Sequence, residues 1–246
     1  MFLVLVVNLY TSRVLLHALG VSDYGTFVVV AGFVTLFGFF NATLASTIQR
    51  YFNYEGTEDN DSGIENIFST GFRIHILIAL LTIIALETIG LWYFHHYIKF
   101  PVERTEAATI LFHASTLILV FNILQIPAMG LILAKEKMGI YAFINVMDVS
   151  LKLLATLSLA YLPFDSLSTY AGLLLAISVI DFLFYTIYTK VKYPFLHFKA
   201  KTDTVLAKSM LTFTGWNLIG TFAFMLKGQG LSLLLNYFFG PVVNAA

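Results

Sequence analysis

No Asp, Glu, Lys or Arg occurs between Tyr24 and Gln49, or between Ala107 and Ala134. Few folds tolerate such gaps, because a water-exposed helix or strand normally carries charge every few residues. A helix rising about 1.5 Å per residue needs about 20 apolar residues to cross a hydrocarbon core of about 30 Å. Three further runs are nearly as bare: Ile74 to Ile98 holds only Glu87, Met138 to Phe164 only Asp148 and Lys152, and Ser166 to Thr189 only Asp181. Met1 to Leu19, with Arg13, adds a first span, and Leu206 to Phe239 a seventh, interrupted by Lys227, Gly228 and Gly230. The apolar runs are continuous and lack the in-out alternation of barrel strands. The sequence therefore predicts an all-α, polytopic transmembrane bundle with seven spans.

Composition agrees. The chain is 59% hydrophobic and 11% charged, against about 25% charged in a soluble domain. That excludes a soluble enzyme, a disordered regulator and a nucleic-acid-binding module together. Fourteen basic and fourteen acidic residues cancel, and the absence of cysteine removes disulfides and thiol chemistry. The first span lacks a basic start and a small-residue cleavage site, so it is not a signal peptide. It reads as a helix whose leading turns and cytoplasmic tail are missing.

Loop charge predicts sidedness. The loops after spans two, four and six hold Lys135, Lys137, Lys190, Lys192, Lys199, Lys201 and Lys208, with Arg50 at an edge. The loops after spans one, three and five hold only Lys99 and Arg104. The positive-inside rule places the first set and the N-terminus in the cytoplasm. The basic stretch 190–206 then divides residues 1–189, a six-helix lobe, from 207–246, the first helix of a second lobe. The Gly240-Pro241 turn opens an eighth helix, so the chain is expected to be a fragment. Six helices, a basic linker and a restart is the pattern of a two-bundle transporter.

Ionisable residues within the spans are the candidate functional groups, since each costs about 2.5–3.5 kcal/mol at mid-membrane. Asp148 and Lys152 stand four apart in the favourable acid-first order. They serve either as a self-neutralising pair that lets the helix insert, or in coupling-ion or substrate binding. Asp181 either pairs across helices or carries a proton. Glu87 reads as structural, reaching toward the headgroups. Arg13 is a bidentate partner for phosphate or an arginine reaching for headgroups. Thr43, Ser46, Thr47 and Arg50 form one polar strip at helical spacing. Lys227-Gly228-Gln229-Gly230 suggests a broken helix of the kind that lines substrate sites, the alternative being an amphipathic lead-in. Pro127, with Asn122, Gln125 and Gly130, predicts a kink in span four.

Two enzyme-like signals are weak. Asp59-Asn60-Asp61 has Asp-x-Asp spacing but lies in a short polar loop and reads as solvated. His95 and His96 are adjacent and lack a third zinc ligand; with Trp92, Tyr93 and Tyr97 they read as an interfacial aromatic belt. No catalytic constellation and no metal set is expected.

Several segments taken in order resemble a known group. They are Tyr10-Thr11-Ser12-Arg13-Val14, Leu19-Gly20-Val21-Ser22-Asp23-Tyr24-Gly25, Gln49-Arg50-Tyr51-Phe52, Ile67-Phe68-Ser69-Thr70, Ala134-Lys135-Glu136-Lys137-Met138, Gly215-Trp216-Asn217, Gln229-Gly230 and Phe239 to Ala246. Together they resemble the bacterial O-antigen and lipid-linked oligosaccharide flippases, in the superfamily that also holds multidrug exporters. The resemblance implies two six-helix lobes around a cavity open to one side at a time. It implies an inner-membrane protein, not an enzyme, that turns an undecaprenyl-diphosphate-linked oligosaccharide toward the periplasm. It implies no cofactor beyond an H+ or Na+ gradient, and polysaccharide polymerase machinery as a partner. Arg13 and Arg50 match motif positions for diphosphate binding. Lys152 and Lys227 join them by span location alone, as do Asp148 and Asp181 for ion coupling. The alternatives are a cation-coupled multidrug exporter, marked by a net acidic cavity, and a non-catalytic membrane partner of polysaccharide assembly.

Overall fold

A computed structural model describes residues 2–35, 39–55, 61–98, 102–196 and 203–239, with side chains except at 2–3, 35, 39–40, 55, 102, 222 and 224–239. All regular structure among them is helical. Helix α1 spans Phe2–Thr35, α2 Phe39–Glu55 and α3 Asp61–Ala85. A π-helical turn, Leu86–Gly90, joins α3 to α4 (Leu91–Tyr97). A short 3-10 turn, Val102–Arg104, leads into α5 (Thr105–Leu124), followed by α6 (Ile126–Ala134), α7 (Met138–Ser158), α8 (Ser166–Lys192) and α9 (Thr204–Phe239). Among the described residues, five stretches are long and apolar enough to cross a membrane: Val4–Val34, Asp61–Tyr97, Thr105–Ala134, Met138–Tyr161 and Ser166–Lys192. By length and composition this is a helical membrane protein.

The breaks between helices follow from particular residues. Gly20 alone leaves helical geometry inside α1, at φ 75° and ψ 169°, a region essentially open only to glycine. The expected boundary after Leu19 is therefore real, but helix resumes at once. The stretch Tyr24 to Gln49, expected as one span, is shared between α1 and α2. Pro127 has no N–H to donate to the carbonyl four residues back, and the chain turns at Gln125 between α5 and α6, as the sequence predicts. The α6–α7 turn is a Schellman closure: Lys137 N–H donates to Ile132 O at 3.0 Å and Glu136 N–H to Leu133 O at 3.0 Å, with Glu136 at φ 55°. The basic segment is more helical than expected, since α8 runs through Lys190 and Lys192, whose charges suit a helix C-terminus.

The expected break at Lys227 to Gly230 is not there. Helix α9 is continuous from Thr204 to Phe239. Glycine costs a helix about 1 kcal/mol relative to alanine. In lipid, however, leaving backbone groups unpaired costs several kcal/mol each, so the helical ladder is kept.

Packing centres on α5, which lies against α8, α1 and α3, while α2 packs on α6, α3 and α9. Ile48 of α2 fills the space left by two glycines. A methyl on Gly71 of α3 would collide with Ile48 Cδ1, and one on Gly130 of α6 would lie 2.5 Å from Ile48 Cγ2. The opposite face of α3 turns Leu77, Leu81 and Ile84 outward, each more than half exposed, as a lipid-facing surface requires.

Candidate functional site

Where α1, α2, α5, α6, α7 and α8 converge, the apolar packing gives way to a cavity of about 520 Å³. Its polar wall comes from helical repeats. Tyr141, Asn145, Asp148 and Lys152 recur on one face of α7, and Ser178, Asp181 and Tyr185 on one face of α8. The kink at Gln125 brings two amides to the same space, with Gln125 Nε2 donating to Asn122 Oδ1 at 3.2 Å.

Lys152 and Asp148 are an ion pair, the ammonium lying 2.8 Å from each carboxylate oxygen. Asp181, from α8, is 8% exposed and sits against the Asp148 carboxyl. Two carboxylates in contact form a hydrogen bond only when a proton bridges them. Asp181 Oδ1 is buried without a partner among the described residues, and so are Gln125 Oε1 and Asn41 Oδ1 on the same cavity wall. Buried oxygens without donors are costly, and a small cation, a proton or water relieves that cost. With both acids ionised the three charged groups sum to one negative charge.

The cavity thus unites Asp148, Lys152 and Asp181, three of the residues singled out from sequence. It does not unite the four cationic candidates. Arg13 lies on the exposed face of α1 and is not part of the cavity wall. Arg50 lines a separate groove between α2 and α9, its guanidinium 4.0 Å from the centre of the Phe213 ring. The side chain of Lys227 is outside the described residues, as are Asp59, Asn60 and Gly240 to Ala246.

Other sequence candidates are structural. The Thr43–Thr47 strip joins α2 to α9: Thr43 Oγ1 lies 3.2 Å from Thr221 Oγ1, and Thr214 Oγ1 lies 3.4 Å from Thr47 Oγ1. The π-helical turn presents Glu87 to His113 of α5, Oε2 to Nδ1 2.8 Å, so the carboxylate has a partner on a neighbouring helix. His96 stacks on Trp92 and Tyr93 on Tyr97. No cluster of three metal-ligating residues occurs among the described residues.

Two features went unread in the sequence. Asn41, Asn145 and Tyr185 line the cavity, as do Asn122 and Gln125, read from sequence only for the kink; Asn145 and Tyr185, on the faces that carry Asp148 and Asp181, were the signal. The other is an ionic clamp at one end of the bundle. Arg104 bridges buried Asp23 (Nη2 to Oδ2 2.8 Å) and Asp165 (Nη1 to Oδ1 2.5 Å). Nothing local in the sequence marks that triad.

The chain matches no protein-family model, no curated protein and no solved structure.

Proposed function

We propose that this chain is the N-terminal six-helix lobe, with the first helix of the second, of a cation-driven flippase of the bacterial inner membrane. Its substrate is an oligosaccharide on undecaprenyl diphosphate. The observation that carries the transport part is the polar cavity. An apolar bundle has no structural need for two aspartates, a lysine and several amides around about 520 Å³ of space, and intramembrane ionisable groups mark ion or substrate pathways. Asp148 and Asp181 take the coupling cation, H+ or Na+. Lys152 holds Asp148 when that cation is absent. The glycan-lipid substrate rests on the sequence resemblance, in which Arg13 and Arg50 are the partners of the diphosphate; Lys227 joins them by its place in the last span alone.

The test is translocation of fluorescent undecaprenyl-diphosphate oligosaccharide in proteoliposomes containing the full-length protein, with an imposed H+ or Na+ gradient. Gradient-driven transport should be lost in Asp181→Asn and sharply reduced in Asp148→Asn. Transport by both variants at wild-type rates would remove the coupling role.

A second reading has its own observation. The cavity is net acidic, with two carboxylates against one ammonium, and Arg13 is not among its walls. That balance suits a cation-coupled exporter of cationic drugs. Gradient-driven ethidium export in the same proteoliposomes, without movement of the glycan lipid, would select it.

A further inference from the structure

We propose that the groove between α2 and α9 is a binding site for the phosphate of an anionic membrane lipid, held between Arg50 and Lys208. It gives Arg50 to a membrane lipid in place of the transported diphosphate, and so stands whether or not the protein is a transporter. The groove encloses about 790 Å³ and is lined by Arg50, Tyr51, Lys208, Ser209, Thr212 and Trp216 among others. Among the described residues, two cations face it and no carboxylate does. Neither Arg50 nor Lys208 has an acidic partner among the described residues. Asp203, the acid nearest Lys208 in the chain, is already occupied, accepting from Leu206 N at 3.0 Å and Asn66 Nδ2 at 3.1 Å.

The surrounding contacts hold the groove in shape. The Tyr51 hydroxyl lies 2.7 Å from Ser209 Oγ, tying the end of α2 to the start of α9. Stacking on Phe213 takes the face of the Arg50 guanidinium and leaves its N–H edge for a ligand. A planar fork of donors matches phosphate oxygens bidentately, and an ammonium adds a second point of charge.

The groove also has a polarity gradient along α9. Lys208, Thr212, Trp216 and Ile219 recur at helical spacing, so charge at the helix start gives way to an indole 71% exposed and then to an isoleucine 61% exposed. Tryptophan favours the headgroup level. A soluble anion has no use for the apolar half, whereas a lipid places its phosphate at Arg50 and Lys208 and its acyl chain past Trp216 and Ile219. Lysine asymmetry assigns this end to the cytoplasm, whose leaflet supplies anionic lipid.

The chain has two tryptophans, so Trp92→Phe leaves Trp216 as the reporter. Purified full chain in dodecylmaltoside is titrated with dioleoylphosphatidylglycerol, with dioleoylphosphatidylcholine and with inorganic phosphate. The phosphatidylglycerol titration should saturate, and the other two should respond far more weakly. Lys208→Gln should weaken phosphatidylglycerol binding about fivefold, and the double variant with Arg50→Gln roughly 25-fold, as expected for one surface cation each. Arg50→Lys should recover only part of the loss. Lys208 has no ion pair or side-chain hydrogen bond among the described residues, so its single variant reads the site even if the double variant fails to fold. Unchanged affinity in Lys208→Gln, or equal responses to the two lipids, overturns the proposal. Inorganic phosphate binding as tightly as phosphatidylglycerol overturns the lipid assignment.

Discussion

Asp165 does two things with one carboxylate. Its Oδ2 caps α8, accepting from Ser168 N at 3.0 Å and Ser168 Oγ at 2.9 Å, while Oδ1 takes the Arg104 guanidinium. Partial burial pushes the carboxyl upward, but the bonds from Ser168 and the charge of Arg104 outweigh it and hold the group below its ordinary range. A depressed folded value means that this carboxylate stabilises the fold fully above its unfolded value of about 3.9. That contribution is lost as pH falls through the folded value. Asp165→Ala should therefore cost about 1 kcal/mol at pH 7 through the lost cap, and the wild-type advantage should shrink when unfolding is repeated near pH 3. Asp165→Asn keeps a capping oxygen without the charge, so at pH 7 it should fall between the two. An advantage that grows on acidification would contradict the sign. Asp203 is held low in the same way by Leu206 N–H and Asn66, and its acid dependence should run in the same direction.

At the scale of elements, close approach is set by what is missing from glycine. Gly130→Ala forces its methyl onto Ile48 Cγ2, and overpacking of this kind costs about 1–3 kcal/mol. Combined with Ile48→Ala, the same change should be nearly free, giving a coupling of about 1 kcal/mol or more in a double-mutant cycle. Additive losses would mean the helices separate freely at that point. The α6–α7 turn works the other way. Glu136 holds a left-handed conformation that costs an L-residue about 1–2 kcal/mol, so Glu136→Gly should raise thermal stability by about 0.5–1 kcal/mol in an unfolding assay. Helices were readable from sequence because lipid forbids charge, and the gaps around residues 24–49 and 107–134 declare it. The Asp148–Lys152 pair was readable because both residues lie on one helix four apart. Asp181 against Asp148, and Thr47 against Thr214, depend on which helices become neighbours, and residue spacing within one helix carries no such information. The break expected at Gly228 and Gly230 failed because local propensity is weaker than the cost of an unpaired backbone in lipid.

At the scale of the whole molecule, the contacts gather the connections into two groups. The Arg104 clamp joins the turn after Gly20, the segment before α5 and the segment before α8. Tyr51 with Ser209, and Asn66 with Asp203, join the end of α2, the start of α3 and the start of α9. The first group contains the poorly basic connections of the sequence and the second belongs to the lysine-rich set, so the division made on charge coincides with one made by geometry. That agreement makes sidedness testable at two points. The chain has no cysteine, so Phe164→Cys, at a position 70% exposed beside the clamp, and Lys137→Cys, in the α6–α7 turn, each give one reporter. An impermeant maleimide applied to intact cells, with its access to the membrane surface ensured, should label position 164 and spare position 137 until the membrane is opened. The reverse pattern would invert the molecule. Labelling of both positions in intact cells would place the two groups on one side, and α7 would then not cross the bilayer.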